Sequence, residues 1–188
     1  MLSWLRSLLI VALGVVAMTG TAMTQTPNQT QPQDLENTLY LDLTYGRVVI
    51  RLRPDLAPQH VARVKELARA GFYNGIVFHR VIPGFMAQSG DPTGTGRGGS
   101  GRGNVRGEFS REPFRRGTIG AARTNDPNSA DSQFFICFTD VPHLNGQYTV
   151  WGQVVSGMEF VDRIRPGEPP ANPDRIVRMQ VAADAPRN

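Results

Sequence analysis

Apolar and polar residues alternate in short stretches over most of the chain after residue 37, which is the pattern of half-buried β-strands. The first two stretches, residues 38–43 and 47–52, are separated by a turn at Tyr45 and Gly46 and predict an opening hairpin. Further strands are predicted at residues 76–81, 84–88, 118–122, 134–138, 148–155 and 176–181. This part of the chain is therefore expected to be mainly β.

Two segments show the period of a helix. Apolar residues recur on one face of residues 58–70, where Pro58 suits the first helical turn and Gly71 the C-terminal stop. A second, shorter helix is predicted near residues 158–164. Two helices on many short strands indicate a closed β-barrel, with the first helix across one end.

The N-terminus has the pattern of an export signal, predicted to span residues 1–22. Arg6 supplies positive charge, an apolar run covers residues 8–18, and small residues follow up to a predicted cleavage site after Ala22. The alternative is an uncleaved membrane anchor, but the apolar run is shorter than the roughly 20 residues that a spanning helix needs. The protein is therefore expected to be periplasmic or secreted, with no membrane span after signal cleavage.

The next segment, residues 23–37, is rich in Thr, Gln, Asn and Pro and has few apolar residues. Such a segment cannot bury enough apolar surface to fold and predicts a flexible polar linker. The folded domain is expected at residues 38–185. Its length suits one domain with a full hydrophobic core.

The formal net charge of +4 raises nucleic acid as a possible partner. The basic residues are spread from Arg6 to Arg187, and no aromatic side chains are interleaved with a basic stripe. Nucleic-acid binding is therefore not expected. No heptad repeat or long apolar edge indicates self-association either, so a monomer is predicted.

Metal and covalent chemistry find little support in the residue types. The three histidines form no His-x-x-x-His pair, no cysteine cluster exists, and no Gly-x-Ser-x-Gly motif is present. Cys137 lies in an apolar run and is interpreted as a small buried hydrophobe. No metal and no cofactor are expected.

A glycine-rich stretch at residues 92–107 contains a Gly-x-Gly-x-x-Gly pattern between Gly94 and Gly99. That pattern can bind a phosphate when a helix follows whose N-terminus faces the ligand. No clear helix follows here, so a surface loop passing over the barrel is the favoured interpretation.

Arg80 is unusual because it lies within the apolar segment 78–88. Strand alternation would place Phe78 and Arg80 on one face. A structural salt bridge would explain an isolated arginine of this kind. Two further segments, an aromatic run at residues 132–136 and a polar segment at residues 143–148, favour a functional site instead.

Together these segments resemble the cyclophilins, a family of peptidyl-prolyl cis–trans isomerases. The matching stretches are FHRVIPGFMAQSGDPTGTGRGG at residues 78–99, SQFFICFTD at 132–140 and HLNGQYTVWGQVVSGMEFVDRI at 143–164. The resemblance covers roughly residues 38–181. It implies a closed eight-stranded antiparallel β-barrel capped by two α-helices, with a shallow proline-binding groove on its outer face.

The resemblance also implies the role of each site residue. Arg80 would be the catalytic residue, which stabilises the twisted prolyl amide. The remaining substrate-binding residues would be Phe85, Met86, Phe135 and Leu144 as walls of the proline pocket, Gln88 as a polar partner of the substrate backbone, Arg123 and Thr124 in the adjoining groove, and Tyr148 at the pocket rim. Phe134 is expected in the core, since alternation turns it away from Phe135.

Two positions depart from the pattern of many eukaryotic cyclophilins. His143 stands where they have a tryptophan, and Tyr148 where they have a histidine. Both resemble bacterial members, so isomerase activity is still expected. Cyclosporin binding is expected to be weak, because the missing tryptophan contacts that ligand. Trp151 matches a core position and does not replace it.

The expected function is therefore isomerisation of Xaa-Pro bonds, with proline-containing peptides and unfolded exported proteins as partners. A non-catalytic peptide-binding module or holding chaperone would use the same groove but would not need Arg80. A structural component of an envelope assembly is a third alternative, for which a large exposed apolar patch would be expected.

Overall fold

Eight strands form one antiparallel sheet in the computed structural model, which describes residues 34–186. The order across the sheet is β3-β4-β6-β5-β7-β2-β1-β8, and each neighbouring pair is antiparallel. The predicted mainly β fold is confirmed. The strands are β1 Thr38–Leu43, β2 Gly46–Leu52, β3 Arg80–Ile82, β4 Met86–Ser89, β5 Thr118–Ala121, β6 Phe134–Cys137, β7 Val150–Ser156 and β8 Ile176–Val181.

The sheet curls into a half-barrel, and the closed barrel expected from the sequence is not confirmed. Its edge strands, β3 and β8, form no ladder with each other. Instead an isolated bridge joins Val77 to Arg175, and Phe78 N donates to Asp174 O at 2.9 Å. The reason is that β3 is only three residues long and the chain before it runs through turns.

The prediction of a strand at residues 76–81 is therefore mostly wrong. Only Arg80 and Val81 of that range belong to β3, and Phe78 lies outside any strand. Because the extended alternation is broken, Phe78 is fully buried in the main core, whereas Arg80 is partly exposed on the other side of the sheet. The two side chains do not share a face.

Within residues 34–186, two α-helices accompany the sheet. α1, Pro58–Arg69, packs against β8 and buries Val61, Val64, Leu67 and Ala68, in agreement with the predicted apolar face. α2, Met158–Val161, is shorter than predicted because Arg163 N and Ile164 N donate to carbonyls three residues back, which tightens the chain into a turn. No helix among residues 34–186 has the length and apolar character needed to cross a membrane.

The folded part includes four residues that the sequence analysis assigned to the linker. Residues 35–37 form a short 3₁₀ helix in which Asp34 accepts from Asn37 N at 3.1 Å, and Glu36 pairs with Lys65 and Arg69 of α1. The predicted signal peptide and the rest of the predicted linker lie outside the described residues. Two more 3₁₀ helices occur at Pro142–Leu144 and Ala182–Asp184.

Strand register divides the apolar residues of β3, β4, β5 and β6 between two clusters. Residues directly opposite each other on neighbouring strands share a face of the sheet, and successive residues alternate between faces. The side chains on one face of the sheet pack into the main core. They are those of Val81, Ala87, Ile136 and Ile119, which are cross-strand partners, and of the pair Phe134 and Ala121. The side chains on the opposite face, which include those of Met86, Phe135 and Cys137, form a second cluster.

Phe134 belongs to the main core, as predicted, and its ring lies edge-on to Tyr73 and Trp151 with centroids 5.8 Å away in both cases. Phe134→Ala is expected to lower the free energy of unfolding by about 3–5 kcal/mol, because it leaves a cavity among rings that cannot close together. Chemical denaturation monitored by circular dichroism measures this loss. Val177→Ala serves as the control, since Val177 is 57% exposed and its loss should cost about 0.5 kcal/mol or less. If Phe134→Ala lowered the free energy of unfolding by no more than Val177→Ala does, the assignment of Phe134 to the main core would be contradicted.

Candidate active site

A row of side chains across four strands builds the centre of the site. Arg80 on β3 is opposite Gln88 on β4, Gln88 is opposite Phe135 on β6, and Phe135 is opposite Gly120 on β5. These residues share the face turned away from the main core. The register thus places a cation, an amide and an aromatic ring side by side.

This row borders a depression of about 110 Å³. Eight of the nine site residues inferred from the resemblance line it, and Thr124 lies in an adjoining depression instead. Ala122, which was not predicted as a site residue, lines it as well. The full lining is Arg80, Phe85, Met86, Gln88, Ala122, Arg123, Phe135, Leu144 and Tyr148.

Aromatic packing fixes the ring of Phe135 at the depression. Phe114 stacks on it with centroids 5.6 Å apart, and Tyr148 meets it edge-on at 5.7 Å. A Cβ at Gly120 would overlap the Phe135 ring and lie 2.7 Å from Phe114, so only glycine leaves room for both rings. The role of Phe114 was not predicted from the sequence, because this residue stands alone in a polar segment without a strand or helix pattern.

Arg80 reaches the depression with most of its donors available. Its Nε lies 3.5 Å from Glu168 Oε2, and both side chains are substantially exposed, at 41% and 51%. An exposed ion pair of this length contributes about 1 kcal/mol at most. A structural salt bridge therefore does not account for an arginine at this position, and a guanidinium has five N–H donors in all.

Gln88 is connected to the glycine-rich loop through a second glutamine. Gln88 Nε2 donates to Gln133 Oε1 at 2.9 Å. Gln133 Nε2 in turn donates to the carbonyls of Gly96 at 3.0 Å and Gly98 at 2.9 Å. Gln133 thus holds the Gln88 side chain and the loop together. This role of Gln133 was not predicted from the sequence, although the residue lies in the SQFF segment beside Phe134.

Arg123 lies where the depression meets its larger neighbour and lines both. Its guanidinium lies over the Tyr148 ring, 4.4 Å from the centroid, and donates to the carbonyls of Thr124 at 2.8 Å and Gln147 at 2.7 Å. Because it stacks on the Tyr148 ring and donates two hydrogen bonds, the Arg123 guanidinium is fixed in place. Thr124 is fixed too, because its N–H donates to Ser129 Oγ at 2.9 Å.

The larger depression, about 460 Å³, lies between Arg123 and the glycine-rich loop and shares Gln88, Ala122 and Arg123 with the first. The two depressions therefore form one continuous groove. Its further lining consists of Gly96, Arg97, Gly98, Gly99, Asn104, Thr124, Ser129, Asp131, Ser132 and Gln133.

Buried Asp91 organises the glycine-rich loop. Its carboxylate accepts from Thr93 N and Oγ1, each at 2.8 Å, and from Gly96 N at 2.6 Å. Burial acts to raise the pKa of Asp91, but these hydrogen bonds outweigh it and lower the pKa to about 2. The loop amides thus bind a carboxylate of the chain itself, which supports the interpretation as a surface loop over that of a phosphate-binding loop.

The site contains no activated nucleophile in its second apolar cluster. Cys137 is fully buried there, and burial raises the pKa of its thiol to about 12. A thiol in this state does not ionise near neutral pH, and the thiolate is the reactive form. Among residues 34–186, no group of three or more His, Cys, Asp or Glu side chains is arranged to hold a metal ion.

The geometry defines a class of site: a small apolar depression for a ring-sized group, bordered by a guanidinium and a fixed amide. Such a site has the size and apolar character to accept a ring-sized group without forming a covalent bond to it. Comparison with known proteins leads to the same class. The family model described as cyclophilin type peptidyl-prolyl cis-trans isomerase/CLD matches residues 38–181.

Individual relatives agree with the family match. A probable peptidyl-prolyl cis-trans isomerase of Brucella suis biovar 1 is 49% identical over 199 positions, covering 97% of this chain and 99% of the relative. The crystal structure of cyclophilin AquaCyp293 from Hirschia baltica superimposes with a TM-score of 0.75 at 30% identity, covering 81% of this chain and 76% of that one. A Cryptosporidium parvum cyclophilin type isomerase, crystallised in the presence of the dipeptide Ala-Pro, gives 0.72 at 28% identity, with 77% and 98% covered.

The chain belongs to the cyclophilin-type peptidyl-prolyl cis–trans isomerases. It is an enzyme of that activity, and the resemblance stated from its sequence is confirmed. The alternatives of a non-catalytic peptide-binding module and of a structural envelope component are not retained.

The Asp91 carboxylate makes the stability of the protein depend on pH in acid. Because its folded pKa of about 2 lies below the ordinary value of 3.8, its contribution is complete above about pH 4 and is lost as the pH falls toward 2. Asp91→Asn removes this dependence. The difference in unfolding free energy between wild type and variant is expected to shrink by about 2 kcal/mol from pH 5 to pH 2. Urea titrations at both values measure it, and an unchanged difference would contradict the expectation.

Proposed function

We propose that the protein accelerates rotation about Xaa-Pro bonds of exported proteins by donating a hydrogen bond from Arg80 to the prolyl nitrogen of the twisted amide. The observation that carries this proposal is the arginine at the rim of an apolar depression. Within residues 34–186 its guanidinium has a single, long and exposed ion pair, with Glu168. Its remaining donors are available to a substrate.

The chemistry needs a donor that acts on the transition state alone. Rotation about a peptide bond has a barrier of roughly 18–20 kcal/mol, because twisting the C–N bond removes its resonance. The bond before proline therefore isomerises in tens to hundreds of seconds without a catalyst. At the top of the barrier the nitrogen becomes pyramidal and its lone pair can accept a hydrogen bond.

Arg80 suits this task because its guanidinium is a cation that presents its donors in a plane. The planar ground-state nitrogen is a poor acceptor, whereas the pyramidal nitrogen is a good one. The interaction is therefore stronger in the transition state than in the bound substrate, which is the requirement for lowering the barrier.

The apolar depression supplies the other half of the catalysis. We infer that the pyrrolidine ring lies against Phe85, Met86, Phe135 and Leu144, where it displaces water and strengthens the hydrogen bond from Arg80. Gln88 would bind the substrate backbone and hold one side of the bond while the other rotates. Tyr148 and Arg123 would line the rim of the same site, and Thr124 the groove beyond it.

The rate acceleration that an isomerase needs is within reach of the Arg80 hydrogen bond and the apolar depression together. An acceleration on the order of 10⁵ corresponds to a barrier reduction of about 7 kcal/mol. A charge-assisted hydrogen bond in a water-excluded site, together with fixed orientation of the peptide, supplies energies of this order. No cofactor enters the proposed reaction.

Arg80→Ala is expected to lower kcat/KM by about 100-fold or more, since the donor to the prolyl nitrogen is lost. Arg80→Lys should retain part of the activity, because lysine keeps the charge but not the planar donors. Exchange NMR on a short Xaa-Pro peptide measures both. Arg178→Ala is the matched control, an exposed arginine on β8 outside the groove. Near-wild-type turnover in a folded Arg80→Ala protein would refute the mechanism.

We further propose that the chain is exported and acts on unfolded exported proteins as a monomer. The support for export is the sequence of residues 1–22, with Arg6 ahead of an eleven-residue apolar run and small residues behind it. The support for a monomer is that the sequence shows no heptad repeat. We also propose that the protein binds cyclosporin weakly, because His143 stands where many eukaryotic cyclophilins have a tryptophan.

Export predicts that the mature protein begins at Met23. Mass spectrometry of the protein recovered from a periplasmic extract should show the loss of residues 1–22. A matched variant, Leu13→Arg, interrupts the apolar run and should leave the uncleaved chain in the cytoplasm. An intact N-terminus at Met1 in the membrane fraction would instead establish the anchor, and an intact chain in the wild-type cytoplasm would exclude export.

A further inference from the structure

The larger depression of the groove carries an uncompensated positive charge. Three charged residues line it: Arg97, Arg123 and Asp131. Asp131 is neutralised within the fold, because its carboxylate accepts from Arg63 Nη1 at 2.6 Å and from Ser100. Arg123 is held by backbone carbonyls, which carry no net charge. The depression is therefore cationic.

Arg97 is the charge best placed to meet a ligand there. Its side chain is exposed, and within residues 34–186 it has neither a hydrogen bond nor an ion pair, in contrast to Arg63 and Arg123. Its guanidinium is a cation with five N–H donors. A carboxylate entering the depression would find its partner in this side chain.

The backbone on both sides of Arg97 is fixed, so the cation starts from a defined place. Gly96 N donates to Asp91 at 2.6 Å, and the carbonyls of Gly96 and Gly98 accept from Gln133. A Cβ on Gly98 would overlap Asp91 and lie 2.9 Å from Thr93, so glycine is needed for the loop to close this tightly. A fixed attachment point lowers the entropic cost of binding a ligand.

We propose that Arg97 makes the larger depression a site for an acidic side chain of the substrate, so that the enzyme prefers Xaa-Pro segments with Asp or Glu close to the proline. This inference rests on the proposed function, since it places the proline in the smaller depression. In an extended peptide, side chains two residues apart share a face. The acidic residue is therefore expected two positions from the proline, because the two depressions adjoin.

The ligand is a carboxylate held by a side chain, not an anion held by the loop backbone. The amides of Thr93 and Gly96 already donate to Asp91, and that of Ser100 donates to Asp131. Recognition must therefore come from the Arg97 guanidinium, which pairs with planar carboxylates through two parallel hydrogen bonds.

The test compares three peptides that differ only two positions before the proline, where they carry Glu, Gln or Lys, and a second set changed two positions after it. Exchange NMR gives kcat/KM for each. In at least one set the Glu peptide is expected to exceed the Gln peptide by about three-fold at low salt, as for an exposed ion pair, with the Lys peptide lowest. The difference should shrink as the ionic strength rises.

Variants assign the preference to Arg97. In Arg97→Gln the kcat/KM values of the Glu and Gln peptides should become equal. In Arg97→Glu the preference should reverse, so that the Lys peptide has the highest kcat/KM. Arg106→Gln is the matched control, since it removes an exposed arginine of the same loop that does not line the depression. That variant should keep the wild-type ratio.

Each outcome is decisive. Equal rates for the Glu and Gln peptides of both sets with the wild-type enzyme would overturn the inference, as would a preference that survives in Arg97→Gln. Neither result would affect the proposed function, because all six peptides would still be isomerised. Only an absence of acceleration for every peptide would count against the proline site itself.

Discussion

The register of β3, β4, β6 and β5 is the constraint on which the site depends. A shift of one residue between any two of these strands would turn Arg80, Gln88 or Phe135 toward the main core and bring Val81, Ala87 or Ile136 to the surface. The main core prevents such a shift, because its rows are fully apolar on one face and tolerate no buried cation. The packing that stabilises the fold thus also fixes the row of Arg80, Gln88 and Phe135.

The groove owes its second half to a different kind of interaction. Hydrogen bonds to Asp91 and Gln133 hold a loop that has no strand or helix of its own. Gln133 lies between Gln88 and the loop and links the two depressions. A peptide crossing the groove would therefore contact a surface that is defined before it binds, although much of it is loop.

The sequence predicts those parts of the structure in which local pattern and packing agree. β1 and β8 have the predicted bounds, because alternation is regular where one face is buried, and α1 differs by one residue. The prediction fails at residues 76–81, where bridges and turns replace a ladder, and pattern alone does not reveal this. Closure of the barrel depends on the same edge and was not predictable for the same reason.

Prediction of the site depended on the resemblance more than on periodicity. Arg80 drew attention because a cation within an apolar run is rare, and Phe134 and Phe135 were separated correctly by alternation. Phe114 and Gln133 were missed because their roles arise from contacts across long stretches of chain.

The buried thiol of Cys137 bears on how the protein responds to the redox state of its surroundings. With one cysteine in the sequence and that one inaccessible, folding of this enzyme needs no oxidant, and its activity should be the same in reducing and oxidising surroundings.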